Sequence, residues 1–216
     1  CSQENISVVY NGVDLKRFHP DNKNRHRQSV RKELGIPENS VLILFVGSGF
    51  ERKGLKPLLQ ATQYLRSENW RLVIMGKGKW DQYLQFAPVN FRGQIIYKEP
   101  VPEIEKYYSA ADIFVLPSIY EPFGNANLEA LATGLPVITT RHCGAADIIQ
   151  HKLNGMIVEN PESPKEIADN INTLFDPDLR QSMSQNARTL AENFSPEKNT
   201  SEMLKTYQEI ISTQDK

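Results

Sequence analysis

Residues 120–134 read YEPFGNANLEALATG, with Glu121 and Glu129 on either side of a Pro-Phe-Gly turn. An ionised carboxylate only accepts hydrogen bonds, which suits it to hydroxyl-rich ligands such as sugars. Glu121 precedes Pro122 and is therefore held extended, in a loop. Asn125, or Gly124 before it, can cap a helix running through residues 128–132 to Gly134, with Glu129 expected in its first turn. There a carboxylate also favours the helix dipole by roughly 0.3–1 kcal/mol. Helix stabilisation alone would explain Glu129, but it does not explain Glu121.

A second stretch, GSGFERKG at residues 47–54, carries charge of the opposite sign. Gly47 and Gly49 permit close backbone approach, and Gly54 opens a helix. Arg52 and Lys53 then stand at that helix's N-terminus, where cations oppose the dipole unless an anion joins them. A phosphate would meet free N–H groups and both side chains. On this loop alone a solvated basic turn is the more common outcome. A nicotinamide-dinucleotide site is poorly matched. G-x-G-x-x-R lacks the third glycine, and the next strand, RLVIMGKG, ends without the acidic residue that would hold the ribose.

The elements that must position these residues follow from the apolar pattern. Buried β-branched runs recur at 41–46, 72–75, 95–97, 113–116 and 136–140, separated by stretches of helical period such as LKPLLQATQYL and VPEIEKYYSAA. That alternation predicts βαβ units and a parallel sheet. LNGMIVE predicts one more short strand, and ISVVY at the start reads as a strand already under way. Three helices follow residue 159, two of them opened by Ser163-Pro and Ser195-Pro. NKNRHRQSVRK reads as a helix with a solvated basic face. In an open parallel sheet, ligands sit beyond the carboxyl ends of the strands. The loops there are GSGFERKG, GKGK, PSIYEPFGN and RHCG, so phosphate-type and hydroxyl-type ligands of one molecule would meet at one edge. Together they ask for a sugar nucleotide.

Bulk properties bound this reading. With 216 residues, 39% apolar, the chain can bury a core, and a net charge of -1 gives no global reason to expect nucleic acid. Two cysteines, Cys1 and Cys143, make no disulfide framework and favour a reducing compartment. No run approaches a membrane span. The chain does not begin with Met, and we read it as a fragment preceded by further sequence. The Asp-Pro-Asp at 176–178 reads as a helix cap rather than a metal site. His19, His26, His142 and His151 lack ligand spacing, and Trp70 and Trp80 read as packing residues. No metal or cofactor is expected.

EPFGNANLEALATGLPVI resembles the E-x7-E signature of retaining GT-B glycosyltransferases of the family 4 type, with Glu121 and Glu129 at its two glutamates. The likeness spans most of the chain: NGVDLKRFHP resembles the linker into the C-terminal domain, FVGSGFERKG the diphosphate loop, and YYSAADIFVLPS the helix and strand before the signature. The resemblance implies a Rossmann-like three-layer α/β/α donor-binding lobe, with residues 1–20 as linker and first strand, 21–195 as the nucleotide-sugar domain and 196–216 as a C-terminal helix. It implies that Glu121 contacts the donor sugar and Glu129 the ribose, and that N–H groups near Leu128 meet the diphosphate. Gly49, Arg52, Lys53, Phe123, Gly124 and Asn125 complete the expected binding set, with Glu121, Lys53 and Arg52 serving catalysis. Many family members place an arginine directly after the first loop glycine, where this chain has Ser48. Arg-Lys-Gly at 52–54, with Cys143-Gly144, instead resembles the glucosyltransferases of the lipopolysaccharide inner core. That subgroup implies UDP-glucose as donor, a glycan or lipid-linked acceptor, and a cytoplasmic enzyme, either free or peripheral at the inner membrane face. A nucleotide-binding regulatory domain, and a GT-B phosphorylase or epimerase, stand as alternatives.

Overall fold

The computed structural model describes residues 6–214. Six strands form one fully parallel sheet in the order β3-β2-β1-β4-β5-β6. They are β1 (Val41–Val46), β2 (Trp70–Met75), β3 (Ile95–Lys98), β4 (Ile113–Leu116), β5 (Val137–Thr140) and β6 (Gly155–Val158). β1, β2, β4 and β5 are buried nearly throughout because helices cover both sheet faces, which is why they read as continuous apolar runs. The helices are α1 (Asn22–Glu33), α2 (Leu55–Ala61), α3 (Trp80–Leu84), α4 (Glu105–Ala110), α5 (Asn125–Ala132), α6 (Pro164–Thr173), α7 (Pro177–Ala191) and α8 (Pro196–Gln214). The result is the parallel sheet predicted from the alternation, in the three-layer α/β/α arrangement that the resemblance implies.

The strand order reverses direction between β1 and β4, which are neighbours in the sheet but distant in sequence. Their register covers only Ile43–Ile113 and Leu44–Phe114, whereas β1 pairs with β2 along its whole length. Phe45 and Val46 thus run past the β4 ladder, and the loops after β1 and β4 part around a crevice. A switch point of this kind is where open α/β sheets bind ligands.

Two expectations change. Residues 6–10 form no strand; both sheet edges are β3 and β6, and Ile6 and Val8 are exposed. Cys1 lies outside the described residues. The segment continues into the core, where Val13 and Phe18 are buried. The basic helix α1 is also not merely a solvated face. Arg31 is 1% exposed, and its guanidinium donates to Ala110 O at 3.1 Å, to Pro37 O at 2.8 Å and to Asp112 at 3.3 Å. Arg27 reaches the same Asp112 at 2.8 Å, and Asp112 also accepts from Leu42 N at 2.8 Å. These arginines bind α1 to the α4–β4 corner and the start of β1. A periodicity argument cannot find them, because the arginine head travels several bonds from a backbone position that looks exposed.

The helix caps follow the sequence closely. Ser163 Oγ accepts from Glu166 N, and Asp176 accepts from Asp178 N and Leu179 N at the start of α7. Trp70 is fully buried and Trp80 stacks on Tyr97 with ring centroids 5.2 Å apart.

Candidate functional site

The crevice is a cavity of about 550 Å³, lined among others by Gly47, Ser48, Lys53, Glu121, Phe123, Gly124, Asn125 and Glu129. Its walls come from the ends of β1 and β2, the loops after β1, β2, β3 and β4, the helix α5, and Asn11.

The loop after β1 owes its path to Gly54. This residue adopts φ +71°, and a Cβ there would stand 1.9 Å from Pro117 O, so only glycine lets the β1 and β4 loops touch. Ile119 N donates to Arg52 O at 2.9 Å across that contact. The pairing brings Arg52 and Lys53, just before α2, beside Glu121. Arg52 Nη1 lies 2.8 Å from Glu121 Oε2, and Lys53 Nζ donates to the same oxygen. Lys53 and Glu121 are mostly buried, while Arg52 is half exposed. The anion that these two cations require is thus supplied, in the free protein, by Glu121.

The loop after β4 is clamped to the segment after β5. Glu121 N donates to His142 O at 3.1 Å, Gly144 N to Glu121 O at 3.0 Å and Ala145 N to Phe123 O at 2.9 Å. Cys143 packs beneath this clamp, its thiol donating to Phe123 O at 3.1 Å; burial pushes that thiol up from its ordinary value. Gly124, at φ +81°, is the N-cap of α5, with Asn125 as the first helical residue. Its missing Cβ leaves room for the Asn127 amide and Glu121 Cγ, each within about 3 Å of where that atom would lie. Asn125 and Ala126, the first two residues of α5, line the cavity, and N–H groups at that position have no partner within a helix, whereas Asn127 N donates to Gly124 O at 2.8 Å.

Glu129 falls in the second turn of α5, not the first, because the helix begins at Asn125. The dipole contribution expected there is correspondingly diminished. Its carboxylate accepts from Tyr108 Oη at 2.8 Å. Burial raises its pKa above the ordinary value, opposed by the Tyr108 bond and by the charge of Arg17. Tyr108 itself is fixed edge-on against Phe18, with ring centroids 5.6 Å apart.

The remaining expected residues lie elsewhere. Leu128 is a core side chain, 1% exposed, and can offer only its backbone. Gly49 faces a neighbouring depression with Phe50, Arg52, Gln82 and Tyr83, and its N–H donates to Lys77 O at 3.3 Å. Arg52 borders that depression and reaches the cavity only through Glu121. His142 is exposed and does not line the cavity.

Several lining residues were not anticipated. Pro100, Val101 and Ile104 form an apolar wall facing the charged one, and Asn11 donates to Asn125 Oδ1 at 2.8 Å. Tyr108 as partner of Glu129 was missed as well. They lie in segments whose helical period or family likeness was legible, but nothing in those patterns says which of their side chains face the cavity.

Residues 26–190 match the family described as Glycosyl transferases group 1. An uncharacterised glycosyltransferase of Methanocaldococcus jannaschii is 32% identical over 192 residues, covering 86% of this chain and 49% of that protein. The crystal structure of a glycosyltransferase from Rickettsia africae superposes with a TM-score of 0.87 at 25% identity, covering 97% of this chain and 58% of that one. WaaG, described as a glycosyltransferase involved in lipopolysaccharide biosynthesis, superposes at 0.80 with 28% identity, covering 91% of this chain and 56% of that one. The chain spans about half the length of the curated relatives it matches. A parallel α/β/α lobe, an E-x7-E pair at its switch point and a family match over most of its length lead to one assignment: the chain belongs to the group 1 glycosyl transferases, of GT-B type.

Proposed function

We propose that the cavity binds a nucleotide sugar, and that in the full-length protein it serves retaining transfer of a hexose to a glycan or lipid-linked acceptor. The observation that carries this reading is the meeting of Lys53, Glu121, Glu129 and the α5 N-terminus around one cavity, with Arg52 joined to it through Glu121. The cations and the α5 N–H groups suit a diphosphate. Glu121 suits the hydroxyls of the sugar and Glu129 those of the ribose. The apolar wall of Pro100, Val101 and Ile104 offers a surface for the flat base. Phe123, Gly124 and Asn125 shape the turn between sugar and diphosphate, with the Leu128 backbone behind it, while Gly49 belongs to the depression next to the cavity.

In this reading Lys53 and Arg52 stabilise the charge that develops on the departing nucleoside diphosphate. Fixed cations in a partly dehydrated site are effective because they need no reorganisation during the reaction. No metal is assigned to that step. UDP-glucose is the donor we propose, on the resemblance of the Arg-Lys-Gly and Cys-Gly segments to lipopolysaccharide-core glucosyltransferases; the likeness to WaaG agrees with that subgroup. Both carboxylates line the cavity, which favours a sugar-transferring enzyme over a domain that only binds nucleotide.

Calorimetric titration of the chain with UDP, ADP and GDP, each free and carrying glucose, tests the proposal. Binding is expected, with the uridine series tightest. Absence of binding by all of them at millimolar concentration would remove the donor-site reading.

A further inference from the structure

Glu121 does two incompatible things. As the sugar-binding carboxylate it should face hydroxyls, yet in the free protein one of its oxygens, Oε2, takes both Arg52 and Lys53. Those are the cations that a diphosphate would need. Lys53 and Glu121 are largely withdrawn from water, with side chains 12% and 13% exposed, so their attraction is weakly screened. Tyr120 O also accepts from Arg52 at 3.3 Å, which holds the guanidinium toward the carboxylate. Backbone bonds on both sides, from Gly144 N to Glu121 O and from Glu121 N to His142 O, fix the main chain of Glu121, so any exchange of partners falls to its side chain.

We propose that Glu121 is a resident counter-anion that exchanges with the donor's diphosphate and so discriminates a nucleotide sugar from a bare nucleoside diphosphate. This rests on the donor-site reading above. When a nucleotide sugar enters, its phosphates take over Lys53 and Arg52, and the displaced carboxylate finds new donors in the sugar hydroxyls. A nucleoside diphosphate makes the same demand on the cations but offers the carboxylate nothing, leaving it dehydrated beside an anion. Once the sugar has been transferred, Glu121 loses its hydroxyl partners and competes again for the cations. The carboxylate then favours release of the product diphosphate. The same residue would thus position the sugar before transfer and help empty the site after it.

The test compares the parent chain with Glu121→Gln and Glu121→Ala by calorimetry, using inorganic diphosphate, UDP and UDP-glucose. Thermal melts verify that each variant is folded. Removing the internal anion is expected to tighten inorganic diphosphate and UDP by roughly three- to tenfold, while UDP-glucose gains less or weakens. Unchanged or weaker diphosphate binding by both folded variants overturns the exchange, even if UDP-glucose binds the parent well and the donor reading stands. Tighter inorganic diphosphate, with UDP binding no better than that ion in parent and variants alike, would keep the exchange and remove the donor reading. No binding of any probe would overturn both.

Discussion

Glu129 shows how one carboxylate can be read for two roles. Burial raises its pKa, so the folded chain favours its protonated form more than the unfolded chain does. The sign follows directly: stability of the ligand-free protein falls as pH rises above the ordinary glutamate value of 4.5, where the unfolded chain releases its proton first. Glu129→Gln should therefore melt at a higher temperature than the parent near neutral pH, with the gap closing in acid. A gap independent of pH would show that the carboxyl is not the cause. Ligand binding separates the second role. Glu129→Ala should lose about 1.5–3 kcal/mol of nucleotide affinity, the worth of a charged hydrogen bond, and much less affinity for inorganic diphosphate. Equal losses, measured by calorimetry, would reduce Glu129 to a residue that supports α5.

At the level of elements, the site depends on loops held by neighbours. α1 illustrates how far this reaches. Arg31 caps carbonyls of the loop before β1, joins Asp112 before β4, and so fixes the starts of the two strands that flank the switch point. Breaking a buried ion pair by deleting one partner leaves the other charge dehydrated. Arg27 still reaches Asp112 and softens that penalty. Arg31→Ala is expected to cost about 3 kcal/mol in urea denaturation, against well under 1 kcal/mol for the exposed Arg25→Ala. A loss of similar size at both positions would mean that α1 is held by its apolar residues alone.

On the proposed function, the molecule as a whole holds one side of a reaction. The proposed donor site lies in the cavity between the β1 and β4 loops, and none of the described residues that line it is assigned to an acceptor. α8 adds a row of exposed apolar side chains, Met203, Leu204, Tyr207, Ile210 and Ile211, spaced three and four apart. The relatives are about twice as long as this chain. Orienting an acceptor can contribute roughly 7–11 kcal/mol to lowering a barrier. We therefore expect the chain by itself to bind UDP-glucose without transferring its sugar. Incubation with labelled donor and simple sugar or lipid-core acceptors checks this. Slow hydrolysis of the donor is compatible with it, whereas efficient transfer would place an acceptor site among residues described above as structural.

The parallel sheet was legible in the sequence because strands covered on both faces must be largely apolar, as the runs at 41–46 and 113–116 are throughout and that at 136–140 is up to the buried Thr139 and Thr140. The caps at Ser163 and Asp176 were legible because capping is local chemistry within three residues. Glu121 and Glu129 could be named because their spacing around a glycine turn is itself a one-dimensional pattern. What the carboxylates face could not be named. That Glu121 meets Arg52 and Lys53, Glu129 meets Tyr108, and Arg31 meets Asp112 depends on contacts between segments far apart in the chain. Side-chain length and loop path decide such contacts, and neither leaves a period in the sequence. ISVVY shows the same limit from the other side. Its residues have strand propensity, but a strand also needs an edge to pair with, and only the tertiary structure decides whether one is in reach.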